Sequence, residues 1–339
     1  MFLVKKLKSQ FGQPFIQVYR GFGNEEEVFV RGRVVKSFNS RKEKQRINPI
    51  KNFLTMLESL SVKGVSGVEI QISFLEKKYK VISGRSGFFE LTIKNPELPV
   101  THENWQKVYL SFLVDIYPKA REQVYEEEVL IPNTKCEYGI ISDIDDTFLI
   151  SYSTSTLLKL RQMFWKDILS RKSFKGTAEF YNSLQSGKKS AILNPFFFVS
   201  SSQWNLYNLL VSFCKIQGFP KGVFFLNKIN KDFFKVWKPG IKKHGHKKES
   251  IRIIMATYPH LKFIFIGDSG QKDAEIYSQI AINHPERVLA IYIRDVGSHG
   301  RRLIVNNISK KLAKKNIYFL LLKDLQLAKD HALAHDFIS

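Results

Sequence analysis

Four short stretches of the chain bring together the groups that chemistry could use. Asp143, Asp145, Asp146 and Thr147 fall within five positions, and three carboxylates that close repel one another unless a cation sits among them or a proton is shared. Downstream come the hydroxyl of Ser200, the cationic stretch His246-Lys247-Lys248, and the pair Gly267-Asp268 with Asp273 five residues further on. A hydroxyl, an ammonium and several carboxylates around a hard cation suit phosphoryl transfer, because its transition state spreads negative charge over oxygens that need several donors. An all-oxygen ligand set fits Mg2+. Lys243 and Lys248 compete with Lys247 for the ammonium's role.

The elements that must position these groups are legible around them. Tyr138 to Ile141, Phe196 to Val199 and Phe263 to Ile266 are apolar runs of strand length, and each ends just before one of the polar clusters. Val223 to Leu226, Val288 to Ile293 and Ile317 to Leu322 have the same texture, whereas Asn205 to Ile216, Glu249 to Tyr258 and Leu325 to Phe337 carry apolar residues at helical spacing. Strands buried on both faces and alternating with helices predict an α/β fold with a parallel sheet, its site beyond the carboxyl ends of the strands.

Ahead of this half, runs such as Glu27 to Val35 and Val68 to Phe74 alternate apolar and polar residues between glycines. That period of two predicts a mainly-β front domain of antiparallel strands, a sandwich or small barrel, over residues 1–130, with Leu54 to Leu60 as one short helix. The acidic stretch from Pro118 to Asn133 reads as a solvated linker, which sets the second domain at 131–339.

With 53 Lys and Arg against 31 Asp and Glu the net charge is +22, yet 44% hydrophobic residues exclude a disordered basic chain. Cys136 and Cys214 are too few for a disulfide framework or a zinc site, which makes a reducing, cytoplasmic setting the expectation. No stretch reaches the ~18 apolar residues a membrane-spanning helix needs, and no export signal is read at the start of the chain. About +6 of the charge lies in residues 1–137 and +16 in the remainder. Residues 152–194 and 221–252 concentrate it beside the polar strand ends.

The four ordered motifs resemble those of the haloacid dehalogenase superfamily of phosphohydrolases. More narrowly, Ser142-Asp-Ile-Asp-Asp-Thr147, Phe198-Val-Ser-Ser-Ser-Gln-Trp-Asn-Leu-Tyr207 and Ile266-Gly-Asp-Ser-Gly-Gln-Lys-Asp273 are similar to the actin-patch type of phosphatidate phosphatase. Tyr19-Arg-Gly-Phe-Gly23 and Gly32-Arg33-Val34 extend the likeness weakly into the front domain, and Gln203 departs from the proline usual at that position. The resemblance implies a Rossmann-like parallel sheet with a small cap inserted at about 152–194. It implies Asp143 as the nucleophile that becomes an aspartyl phosphate, Asp145 as general acid and then base, and Ser200 and Lys247 as the groups holding phosphoryl oxygens; motif spacing favours Lys247 over its rivals. Mg2+ would be held by Asp143, the Asp145 backbone carbonyl and Asp268, with Asp273 in support.

The function expected is hydrolysis of phosphatidic acid to diacylglycerol by a protein peripheral at the anionic inner membrane surface. Two other readings stay open: a phosphatase or metal-dependent nuclease acting on nucleic acid, disfavoured because no nucleic-acid-binding signature is present, and a non-catalytic adaptor that binds lipid or protein. Gly267-Asp-Ser-Gly270 imitates a serine-protease nucleophile but lacks a positioned base, and His244 and His246 lack cysteine partners for a metal site. Phe196 to Phe198 and Trp204 read as core.

Overall fold

The computed structural model describes residues 13–36, 63–99, 103–113, 123–144, 172–188, 192–227 and 245–339. Asp145, Asp146, Thr147, Lys243, His244, the expected helix at 54–60 and residues 152–171 and 189–191 of the expected cap lie outside them. The chain divides into two units: one of residues up to Ile131 together with Gln203–Leu210, the other holding most of the remainder from Pro132.

The first unit is a single mixed sheet. Its strands are β1 (Pro14–Gly23), β2 (Glu27–Lys36), β3 (Lys63–Gly64), β4 (Glu69–Phe74), β5 (Lys77–Ile82), β6 (Phe88–Lys94), β7 (Trp105–Phe112) and β8 (Tyr125–Leu130). They run in the order β3-β2-β1-β8-β7-β4-β5, with β6 paired to β2. Neighbours pair antiparallel, as the alternation predicts, save β1 and β8, which run parallel through Gly21 and Phe22 against Val129 and Leu130. The acidic run is therefore not a linker. Glu126 to Glu128 lie within a central strand, where Lys107 pairs with Glu126 at 2.8 Å and Val129 and Leu130 complete the strand's buried end.

Strand β2 is buried along almost its whole length, so it has a core on each side. Val28, Val30 and Val34 face an aliphatic core with Ile70, Ile72, Val108 and Leu110. The alternate positions Phe29, Arg31 and Arg33 are buried too. Between them, Gly32 admits Phe89: a Cβ there would lie 2.6 Å from that ring and 2.8 Å from the Gln17 carbonyl.

The second unit is built on β9 (Gly139–Asp143), β10 (Phe196–Gln203), β11 (Val223–Asn227), β12 (Phe263–Asp268), β13 (Val288–Arg294) and β14 (Tyr318–Leu322). Their order is β11-β10-β9-β12-β13-β14, and the registers recorded for it are parallel. In chain rank this is 3-2-1-4-5-6, the doubly wound order, whose direction reverses between β9 and β12. Six helices accompany the strands among the described residues: α1 (Lys172–Ser186), α2 (Tyr207–Gln217), α3 (His246–Thr257), α4 (Asp273–Asn283), α5 (His299–Ala313) and α6 (Leu325–Ala334). The α1 helix falls inside the stretch expected to form a cap, and it packs on the sheet: Phe180, Tyr181 and Leu184 are buried, and the Tyr181 hydroxyl lies 2.9 Å from Ser142 Oγ.

Candidate active site

Three adjacent strands deliver polar groups to one edge of the parallel sheet. Val199 of β10 is in register with Asp143 of β9, and Ile266 of β12 with Ser142. Ser200, Asp143 and Asp268 therefore stand side by side where the strand order reverses, the place at which such sheets open a crevice. The apolar residues before them, Phe197, Ile141 and Phe265 among them, are wholly buried and fix the strands, so the end residues have little freedom to move.

Asp273 reaches the same place from the first turn of α4, where a carboxylate is stabilised by the helix dipole. Its Oδ2 accepts the backbone N–H of Asp268 at 3.3 Å. Gly267 makes room for it: a Cβ on Gly267 would fall 2.7 Å from that oxygen. Oxygens of Asp143, Asp268 and Asp273 all lie within 4.8 Å of one another. Asp268 Oδ1 in turn accepts from Gly270 N at 2.8 Å and Gln271 N at 3.2 Å, which folds the loop after β12 back on its own strand end.

Lys247 supplies the cation. Its Nζ is 3.0 Å from Asp143 Oδ1 and donates to Asp273 Oδ1 at 2.5 Å, with 7% of the side chain exposed. A lysine in the first turn of α3 opposes that helix's dipole, so its position is stabilised by the two carboxylates and not by the helix. Lys248, one residue on, donates to Gln279 Oε1 at 2.7 Å and is half-buried. Of these two lysines it is Lys247 that meets the acids. Ser200 is buried, and its Oγ accepts from Ser202 N at 3.0 Å, which turns the chain at the end of β10. Asp145 lies outside the described residues.

The donor set fits a divalent ion on its own chemistry. Three carboxylates and one ammonium carry a formal charge of −2, and hard oxygens are what magnesium takes. The surrounding hydroxyls stay neutral: burial, then the charges of Asp273 and Asp143, pushes Tyr277 well above the usual phenol range, and burial pushes Tyr181 up to about 12.

Arg301, which the sequence did not single out, clamps the loop that carries Asp268 and Asp273. Its Nε donates to the Ser269 carbonyl at 3.0 Å, it bonds the Gln271 carbonyl, and its guanidinium forks onto Glu275 at 2.6 and 3.0 Å. Ser269, centre of the protease-like tetrapeptide, is buried and accepts from Val296 N and Gly297 N. It ties two loops together. The only signal in the sequence was an arginine one turn into the helix after β13, which is no signal without the loop it meets.

Residues 138–295 match the family described as phosphatidate phosphatase APP1, catalytic domain. This segment is similar to the APP1 catalytic domain. Phosphatidate phosphatase APP1 of Saccharomyces cerevisiae is 33% identical over 180 residues, covering 50% of this chain and 29% of that protein. An uncharacterized protein of Schizosaccharomyces pombe is 28% identical over 161 residues, covering 47% of this chain and 25% of its own length. The aligned stretch thus spans under a third of either curated relative. A carbohydrate acetylesterase structure from Xanthomonas citri aligns over 92% of this chain and 69% of that one with a TM-score of 0.31 and 9% identity, too slight a likeness to bear on fold or function. The APP1-type segment runs from the start of β9 to just past β13 and so contains every carboxylate of the site and Lys247.

Proposed function

We propose that the protein is a magnesium-dependent phosphatidate phosphatase of the haloacid dehalogenase type, which releases phosphate from phosphatidic acid and leaves diacylglycerol. The observation that carries this reading is the meeting of Asp143, Asp268, Asp273 and buried Lys247 at the reversal of the parallel sheet, within an APP1-type segment. Asp143, at the strand end, attacks phosphorus as its bond to the glycerol oxygen breaks, and an aspartyl phosphate forms. Asp145 protonates the departing oxygen, then takes a proton from the water that releases phosphate and regenerates Asp143. Lys247 reduces the repulsion between the carboxylate and the phosphoryl oxygens, and Ser200 donates to one of them. Asp143 and Asp268 would hold the magnesium ion with Asp273 in support; when bound, it neutralises charge on the phosphoryl oxygens. The setting we assign is the cytoplasmic surface of an anionic membrane, to which a +22 chain is drawn.

Purified protein given phosphatidate vesicles, para-nitrophenyl phosphate and a 5′-phosphorylated oligonucleotide separates the readings. Phosphatidate should be preferred, chelation of magnesium should stop release, and Asp143→Asn should abolish it. Preference for the oligonucleotide would favour the nucleic-acid enzyme, and no turnover of any substrate would leave a binding protein. Activity that survives Asp143→Asn would overturn the nucleophile.

A further inference from the structure

Resting on that reading, we propose that the outward side of α5 is the surface by which the enzyme docks on an anionic phospholipid membrane. The helix leaves the sheet from the catalytic edge: it follows β13, whose last residue Arg294 is in register with Asp268. Val305 and Leu312, seven residues apart and wholly buried, hold its inner side. Leu303 and Ile304 are turned away from them, 53% and 45% exposed. Lys310 and Lys311 stand seven residues beyond these two, and two helical turns on the same sides, with Lys314 and Lys315 just past the helix end. All four lysines are exposed.

The lysine charge on this side is unmatched by acidic residues of its own stretch. Residues 299–315 contain six Lys or Arg and not one Asp or Glu. Arg301 is committed to Glu275 and Arg302 to Asp295, but among the described residues none of the four lysines makes an ion pair. Cations flanking two large aliphatic side chains match what a bilayer interface offers, anionic headgroups over an apolar layer. A nucleic acid would satisfy the lysines alone. Its bases call for aromatic side chains to stack on, and 299–315 has no Phe, Tyr or Trp. Val296, 48% exposed on the loop leading into the helix, extends the apolar contact toward the catalytic edge.

The test is co-sedimentation of the full chain with vesicles of phosphatidylcholine alone or mixed with phosphatidylserine, alongside turnover of para-nitrophenyl phosphate. The wild-type chain should bind the mixed vesicles and not the neutral ones. Lys310→Ala with Lys311→Ala should weaken that binding ~30-fold, two lysines' share of headgroup attraction. Leu303→Asp with Ile304→Asp should weaken it about tenfold or more through the lost apolar contact. Both pairs change exposed side chains at different turns and should leave turnover of the soluble substrate intact, which certifies the fold of each. Vesicle binding retained in either pair, or wild-type binding to duplex DNA in place of vesicles, overturns the docking surface. Vesicle binding without phosphatidate hydrolysis would defeat the enzymatic reading and leave the docking surface standing; hydrolysis of phosphatidate without vesicle binding would do the reverse.

Discussion

Lys247 in the parallel-sheet unit and Arg31 in the mixed-sheet unit are 7% and 3% exposed, and each is kept buried by a different kind of neighbour. Lys247 lies between two carboxylates. The guanidinium of Arg31 lies 4.7 Å from the ring centre of Trp204 and 5.2 Å from that of Phe22; burial pulls its pKa down to about 10, against the opposing charge of Glu90, its partner on β6, leaving it charged at neutral pH. Arg33 repeats the arrangement over Phe88 at 4.8 Å and donates to the Ser86 carbonyl at 2.7 Å. Aromatic faces cannot exchange one partner for another, so the arginine cluster is a fixed piece of core. Carboxylates can. A substrate phosphate or a metal can enter among the acids and redistribute the same charges, and that capacity separates a site from a packing solution.

The largest effect that could break this contrast is at Lys247. Lys247→Met should lower phosphate release about 10²- to 10³-fold, the loss typical of one donor to a developing oxyanion, while Arg31→Met leaves turnover of the folded enzyme unchanged. Steady-state phosphate release on both variants checks it. A large loss in Arg31→Met, or a small one in Lys247→Met, would remove the distinction. The second test concerns stability. Arg31→Ala should cost about 3 kcal/mol in urea denaturation, from the cavity and the lost cation–π contacts, and Arg31→Met should recover most of it because the methionine keeps the volume. Equal costs for the two would mean that the charge, and not the filling of the core, holds that region.

The catalytic half was readable because its strands are buried on both faces: runs such as Phe196 to Val199 and Phe263 to Ile266 have no polar face to confuse with a helix, and a carboxylate directly after such a run can only stand at the sheet's edge. Asp143 and Asp268 were found for that reason, whereas Lys247, at the start of a helix, was singled out by the spacing of the motifs that the sequence resembles. Three features were not legible. Glu126 to Glu128 look solvated by composition, and only the strands on either side, β1 and β7, reveal them as part of a sheet. The α5 helix, with Leu303 and Ile304 outward, breaks the expected apolar stripe, since its exposed aliphatics obscure the period that Val305 and Leu312 set. Arg301 acts on a loop some thirty residues before it, and such distance hides the contact from any local pattern.

Arg301 carries the third test. Arg301→Ala removes the clamp on the Ser269 and Gln271 carbonyls and on Glu275 without touching a carboxylate of the site. It should lower turnover about tenfold to a hundredfold, the usual cost of losing a partner that orients metal ligands, and raise the magnesium concentration needed for half-maximal rate. Lys should not rescue the position, because an ammonium cannot fork onto Glu275 while reaching two carbonyls. A variant with unchanged magnesium dependence would reduce Arg301 to an ordinary surface pair.

The smallest expected effect lies in the mixed-sheet unit, at two tyrosines that differ in a single bond. The pairing of β1 with β2 shifts register between Tyr19 and Phe22, and a bulge of that kind releases backbone groups from the ladder. The N–H of Arg20, inside the shift, donates to the Tyr207 hydroxyl at 2.9 Å. The neighbouring hydroxyl of Tyr19 is buried with no partner among the described residues, although its ring packs 4.4 Å from Trp204 and 4.8 Å from Tyr207. Tyr207→Phe should therefore cost about 1–2 kcal/mol, because it strands a buried donor, whereas Tyr19→Phe should be neutral or slightly stabilising, because it removes a polar atom that gains nothing from burial. Urea midpoints for the two variants decide it. Equal shifts would mean that both rings act only by packing, and that the bulge does not depend on the hydroxyl that now satisfies it.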